Sequence, residues 1–326
     1  MGEAMTVTEA RLGEKPRARD GARAPTRRDK RRAVPSPVHR HDARLAWVLI
    51  APALVGFILF AVYPTLRGIY LSFTSFHVLS PPQWTGLENI RRLLRDGVFW
   101  NSLLVTVYFV ALSVVIGTFF SVLTAVVLHR LTRSTVIRGL IILPFMISGV
   151  VAATTWSWLM NPQLGILNTV ITHIIGHPIL FLGSRAWVIP SVALISVWKS
   201  MGYNAIIIFA GLQTIPSSIY EAGRIDGASE TKMLRHLTLP LLRPILAMVL
   251  ILTVIGSFQV FDIVQVTTRG GPVNASNVLQ LYIYQQAFGQ FNFGYAATMS
   301  MALFVMLMVI TFLQVRLLRA SESDMS

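Results

Sequence analysis

The sequence contains no cysteine among its 326 residues. That excludes disulfides, thiolate metal sites and cysteine nucleophiles. Charge is also scarce: Asp, Glu, Lys and Arg together make up 13% of the chain, against roughly a quarter in a typical soluble domain. Acids are the scarcer sign, 14 against 28 Lys and Arg, too few to dress a soluble surface of this size. No Gly-x-x-x-x-Gly-Lys-Ser/Thr stretch occurs, so there is no ATP site of the P-loop kind. No Ser/His/Asp arrangement supports covalent chemistry, so an enzyme is not expected. His173 and His177 have a spacing that suits a metal on a helix. Gly176 separates them and no acid lies near in sequence, so no metal site is expected.

What is present is apolar: 54% of the residues are hydrophobic. A membrane-spanning helix needs about 20 mostly apolar residues. Six windows meet or approach that length: Leu45–Tyr63, extended to Phe73 past Pro64 and Arg67; Leu103–Leu128; Gly139–Met160, with Pro144 inside; Ala186–Leu212, with Lys199 as its one charge; Pro244–Phe261; and Gly294–Val315. The expected fold class is an all-α membrane protein of six transmembrane helices. No internal repeat is evident.

Residues 1–44 hold twelve Lys/Arg and six Asp/Glu and show no apolar period. They read as a disordered basic tail, preceding a permanent anchor rather than a cleaved signal peptide. The run Arg27-Arg28-Asp29-Lys30-Arg31-Arg32 is read as meeting anionic lipid and setting orientation, not nucleic acid. With the N-terminus in the cytoplasm, 21 of the 28 basic residues fall on inner segments, as the positive-inside rule demands. Both termini are therefore expected inside. The expected organisation is a tail over 1–44, a membrane domain over 45–320 with a special loop at 213–243, and a cytoplasmic tail at 321–326. Outer segments fall at 74–101, 161–185 and 266–293, each expected to be partly structured. Arg91, Arg92 and Arg95 are awkward in the first of these; Asn89–Leu94 reads as a short interfacial helix with its arginines among lipid headgroups.

The inner loop 213–243 is long, charged and patterned. It predicts two short helices joined at a bend. Ser218 with Glu221 three residues on has the form of a capping box. Asp226-Gly227 is a breaker pair, since glycine accepts positive φ. Ser229 is placed to cap the second helix, and Pro240 to end it. Ile219, Ala222, Ile225 and Ala228 share one face at helical spacing, and its small residues permit close approach by another protein.

Glu221-Ala222-Gly223, then Gly227, Leu237 and Leu239-Pro240, resembles the EAA signature of permease subunits of bacterial binding-protein-dependent ABC importers. Two positions depart from that pattern: Gly223 stands for Ala and Leu237 for Ile. Ile225-Asp226-Gly227-Ala228, Trp198-Lys199, Thr268-Arg269-Gly270-Gly271-Pro272 and Phe293-Gly294-Tyr295-Ala296-Ala297 extend the resemblance to the maltose-, lactose- and glycerol-phosphate-type permeases, over about Leu45 to Arg319. It implies a type I (MetI-like) permease bundle in the bacterial inner membrane whose loop forms a coupling helix for a cytoplasmic ATPase. Glu221, Ala222, Gly223, Asp226, Gly227, Ala228, Leu239 and Pro240 are the residues carried over. Glu221 either faces the ATPase or caps its own helix, and the two roles are compatible. The implied partners are a second permease subunit, an ATPase dimer that holds ATP and Mg, an extracytoplasmic binding protein, membrane lipid and a small sugar. No cofactor is expected in this chain.

Ionisable residues inside spans usually face the bundle interior. Lys199 and Asp262 are the two candidates, either paired with each other or meeting backbone carbonyls. Tyr203, Asn204, Phe258, Gln259, Phe261 and Asp262 are the expected substrate path, supplying hydrogen-bonding groups and aromatic faces suited to a sugar. A secondary transporter would carry several intramembrane carboxylates and inverted repeats, which this chain lacks. A membrane assembly factor has no need of the Glu221-to-Pro240 pattern. The open alternative is an importer for a non-sugar solute: an amino acid, a peptide, phosphate or glycerol phosphate.

Overall fold

The computed structural model describes residues 38–78, 80–131 and 134–323. The expected disordered tail up to residue 37, Arg133 and the final residues 324–326 lie outside the described residues. The chain divides into two compact units, Met1–Ala61 and Val62–Ser326. In the first, the described residues form one apolar helix, α1 (Val38–Phe57), which runs on into a π-helical turn at Ile58–Val62. Residues 38–44, expected as tail, are thus helical.

The second unit opens with α2 (Tyr63–Ser72), whose Pro64 lies just after the π-helical turn, and the wider turn accommodates its missing N–H. A two-stranded antiparallel hairpin follows, β1 (Thr74–Ser75) with β2 (Gln83–Trp84), Thr74 facing Trp84. Then come α3 (Glu88–Arg95), α4 (Gly97–Leu131), α5 (Thr135–Met146), α6 (Gly149–Leu159), α7 (Ile166–Ile175) and α8 (Val188–Leu212). The loop region holds α9 (Ser217–Ile225), α10 (Glu230–Met233) and α11 (Leu239–Leu241). It leads into α12 (Arg243–Phe258), α13 (Asp262–Thr267), α14 (Leu279–Tyr284) and α15 (Phe293–Ser323).

Among the described residues, five apolar stretches are long enough to cross a bilayer: Trp47–Ser72, Gly97–Leu131, Val188–Leu212, Arg243–Thr267 and Phe293–Leu317. The sixth is broken. The window Gly139–Met160, expected as one helix, is two half-helices, α5 and α6, bent by 93°. Pro144 removes a donor from the last turn of α5, and Ile147 and Ser148 turn extended before Gly149 restarts the helix. The fifth span also departs from a plain helix: α12 stops at Phe258, and a short irregular stretch through Phe261 precedes α13.

The main packing seam joins α4 to α8. Ser113, Gly117, Ser121 and Ala125 recur every fourth residue along α4 and are all buried, a small-residue stripe that lets backbones approach closely in a membrane. Ser121 Oγ donates to the Gly117 carbonyl at 2.7 Å and reaches the Met201 carbonyl of α8 at 3.2 Å. Two apolar clusters flank this seam. One, around Phe109, Val192, Ile195, Phe258, Leu279, Tyr295 and Met299, lies toward α14. The other, around Leu128, Ala205, Ile208, Leu212, Leu242 and Val249, lies toward the 213–243 loop.

At the end of the unit away from that loop, Asp96 precedes α4 and gathers four donors. Its Oδ1 accepts from the Val98 and Phe99 amides, at 2.8 and 3.2 Å. Its Oδ2 accepts from the Tyr282 hydroxyl at 2.7 Å and the Tyr295 hydroxyl at 2.6 Å. Burial alone would raise the Asp96 pKa, but the two phenols and two amides outweigh it, and the carboxyl is held below its ordinary value. Tyr282 is pushed the other way, by burial and then by the neighbouring carboxylate. The short helix expected near Asn89–Leu94 is present as α3, and Arg92 on it is exposed. Its guanidinium lies 4.1 Å from the Tyr295 ring centroid, a cation–π contact.

Candidate functional site

Two sites emerge in the second unit, the 213–243 loop and a cavity within the bundle.

In the loop, α9 begins two residues earlier than the capping-box spacing requires. Pro216 holds the N-cap position in an extended conformation, and no side chain caps the helix. Ser218 and Glu221 both sit inside it, so the capping box is not formed, and the Glu221 carboxylate is left exposed rather than spent on its own helix. The far end matches expectation. Gly227 has φ +71°. The Ala228 amide bonds the Gly223 carbonyl at 2.9 Å and the Gly227 amide bonds the Arg224 carbonyl at 3.0 Å, the paired bonds of a Schellman stop. Ser229 Oγ then accepts from the Lys232 amide at 3.4 Å and starts α10.

Pro240 does not end the second helix. The chain passes from α10 through a π-helical turn at Leu234–Thr238 into α11, with Pro240 in its first turn. The wider π turn absorbs the missing amide, so the return limb bends into α12 without stopping. α9 is stitched to this limb: the Tyr220 and Thr238 hydroxyls lie 3.2 Å apart, and buried Gly223 packs against Met233 and Leu237. The expected shared face divides. Ala222 is exposed and Ile225 is 86% exposed, whereas Ile219 and Ala228 are half-buried. Glu221 and Asp226 are exposed, and Leu239 and Pro240 are half-buried in the return limb. A cleft of about 450 Å³ lies beneath, lined among others by His129, Arg130, Tyr220, Glu221, Arg224 and Glu230.

The cavity, about 310 Å³, lies where α5 and α6 meet α8 and the break between α12 and α13. Tyr203, Asn204, Gln259, Phe261 and Asp262 all line it, together with Lys199. Phe258 does not. It is 4% exposed and packed in the core, because the helix runs through it and turns only at Gln259. Lys199 and Asp262 share the cavity without forming an ion pair. The Lys199 ammonium lies 5.7 Å from the Phe145 ring centroid. The Asp262 carboxylate lies on the backbone of Gly149, where a Cβ would stand 2.6 Å from Oδ2. Gly149 is the first residue of α6, so this carboxylate meets the positive end of a helix. Asn204 Nδ2 donates to Thr253 Oγ1 at 3.2 Å, leaving its carbonyl oxygen without a partner among the described hydrogen bonds.

Several lining residues were not anticipated. Phe145 stacks on Tyr203 with centroids 4.3 Å apart and planes 12° off parallel. It comes from α5, the first half of the broken span. Ser196 and Ser200 had a readable signal, since with Lys199 and Tyr203 they fall at the i, i+3, i+4, i+7 spacing of one helix face.

An apolar bundle with a broken span, a polar cavity at the break and a stitched two-helix loop at one end defines a membrane permease subunit. Residues 117–323 match the family described as binding-protein-dependent transport system inner membrane component, and the chain belongs to that family. It is a multi-pass inner-membrane protein and itself a non-catalytic subunit. Among its relatives, the sulfoquinovosyl glycerol transport system permease protein SmoG of Agrobacterium fabrum is 32% identical, over 86% of this chain and 92% of that protein. The trehalose/maltose transport system permease protein MalF of Thermococcus litoralis is 31% identical, over 85% and 94%. A crystal structure of a bacterial alginate ABC transporter, in complex with an alginate pentasaccharide-bound periplasmic protein, contains a chain of the same fold. Its TM-score is 0.75 at 21% identity, over 84% of this chain and 93% of that one.

Proposed function

We propose that this chain forms half of the translocation pathway of an ATP-driven importer for a carbohydrate. The observation that carries the reading is the cavity, which gathers Lys199, Tyr203, Asn204, Gln259 and Asp262 at two helix breaks. Irregular backbone at membrane depth is tolerated where it lines such a space. Hydroxyl-rich solutes are met by amide and carboxylate groups, and the stacked pair Phe145–Tyr203 offers an aromatic face for their C–H surfaces. Relatives named for sulfoquinovosyl glycerol and trehalose/maltose transport support the substrate class.

In this reading a second permease subunit completes the pathway, and a binding protein delivers solute at the end of the bundle bearing α3 and α14. A cytoplasmic ATPase dimer, holding ATP and Mg, receives α9 through Glu221, Ala222, Ile225 and Asp226. Both termini and the 213–243 loop face the cytoplasm, in line with the distribution of arginines. ATP-driven closure of the dimer moves α9 and the bundle as rigid bodies, and hydrolysis resets them. A second reading, an anionic solute such as a glycerol phosphate, is favoured by the Lys199 ammonium at the cavity.

The test begins with purification in mild detergent and mass spectrometry of what accompanies the chain. The complex is then reconstituted in liposomes with its binding protein, and uptake of labelled trehalose, maltose, lactose and glycerol 3-phosphate is measured. Recovery of an ATPase and a second permease with ATP-dependent sugar uptake supports the proposal. Uptake of glycerol 3-phosphate alone selects the second reading, and recovery of the chain without an ATPase overturns both.

A further inference from the structure

We infer that the ion pair between Arg130 and Glu230 is a transmission contact that makes α4 move with the 213–243 loop. The inference rests on the coupling role proposed for that loop. Arg130 Nη2 and Glu230 Oε2 are 2.8 Å apart. Arg130 belongs to the last turn of α4 and Glu230 to the first turn of α10. Each charge therefore sits at the helix terminus whose dipole favours it, and the pair joins the end of one helix to the start of another. Both side chains line the 450 Å³ cleft beneath α9, so in this region the loop is held off the bundle by open space and joined across it by this bridge.

The consequence follows from what each partner is attached to. On the loop side, Glu230 directly follows Ser229, which caps α10, and Met233 in the same short helix packs on Gly223 of α9. α9 and α10 thus form one stitched piece. On the bundle side, α4 is seamed to α8 through Gly117, which lies against Val197, and Ser121, which bonds the Met201 carbonyl. α8 carries Ser196, Lys199, Tyr203 and Asn204 into the cavity. A displacement of α9 thereby reaches the cavity wall through two rigid elements and one ion pair. Both side chains are substantially exposed, 39% and 57%, so the pair adds little to folding stability, and its role is one of positioning. A pathway of this kind is established by coupling measurements rather than by proximity.

The chain has no cysteine of its own, which permits site-directed spin labelling. In the assembled importer in nanodiscs, one label pair, Thr231→Cys with Leu317→Cys, reports the loop. A second, Leu131→Cys with Leu317→Cys, reports the end of α4. The probe is Mg-ATP with orthovanadate, read by pulsed EPR, and needs no identified solute. With the native ion pair both distances shift on trapping. In Arg130→Glu only the loop distance shifts, and in Arg130→Glu with Glu230→Arg both shift again. Arg130→Gln serves the same purpose if the reversal does not assemble. An α4 shift of undiminished size in the single variants, or its absence in the swapped pair, overturns the inference while leaving the coupling role intact. A loop distance that does not respond in the native pair overturns the coupling role itself.

Discussion

Gly223 lies against Leu237: a methyl group on the glycine would stand 3.1 Å from Leu237 Cδ1 and 3.4 Å from the sulfur of Met233. These are the two positions at which the loop departs from the EAA signature, Gly for Ala and Leu for Ile. The departures are one packing solution, in which the longer reach of leucine occupies the space that glycine leaves. Gly223→Ala therefore combines two opposed effects. A helix-interior alanine gains about 1 kcal/mol over glycine, and Leu237 must give by a few tenths of an ångström. The melting temperature of the purified chain should stay close to that of the native protein. Leu237→Ile in the Gly223→Ala background should not lower it further, and Gly223→Leu should cost about 1–3 kcal/mol by overpacking.

Gly227 has open space around it and a φ of +71°. The cost of replacing it is therefore conformational and not steric. Gly227→Ala should destabilise the bend by about 1–2 kcal/mol, and Gly227→Asn by less, since asparagine tolerates this region. Gly227→Pro cannot adopt the angle and should abolish ATP-dependent uptake at matched expression. Uptake that survives Gly227→Pro and a charge reversal at Glu221 would remove the coupling assignment.

The carboxylate of Asp262 is placed by the absence of a side chain at Gly149. In the proposed pathway Asp262 accepts a hydrogen bond from the solute; Asp262→Asn keeps the shape and would remove the charge assistance, in a bond of a kind worth about 1.5–3 kcal/mol. It should raise the KM for solute on the order of tenfold or more. Gly149→Ala should act in the same direction by displacing the carboxylate. Reconstituted transport separates KM from kcat, and an unchanged KM in both variants would take Asp262 out of the substrate path.

Asp96 makes a prediction about acid. Its carboxyl is held below the ordinary value of 3.8, so its contribution to stability is complete above that value and fades as pH falls through the folded-state pKa. Thermal stability linked to Asp96 should be flat through neutral pH and decline only below about pH 4. Asp96→Asn should lower the melting temperature at pH 7, by the equivalent of about 1–2 kcal/mol after allowance for partial solvent exposure. It should also flatten the acid limb. An acid limb unchanged in Asp96→Asn would assign it to other carboxylates.

Apolar run length was enough to read the number of spans, because a bilayer demands about 20 apolar residues wherever a helix crosses it. The Gly227 bend and the Ser229 cap were equally legible, since both are decided by residues within one turn of each other. Ser218 and Glu221 were misread because a capping box depends on which residue holds the N-cap, and Pro216 took that place. Pro240 was misread because a π turn, invisible in the residue pattern, absorbed its missing amide. The 93° break at Ile147–Ser148, the Phe145–Tyr203 stack, the burial of Phe258 and the Asp96 contacts with Tyr282 and Tyr295 join residues far apart in the chain or depend on where a helix turns. Local propensity and spacing alone determined the membrane class, the loop and most of the polar residues that line the cavity. Only the tertiary structure decided which of those residues meet, because contacts between distant residues are set by how helices pack and not by any feature within a single turn.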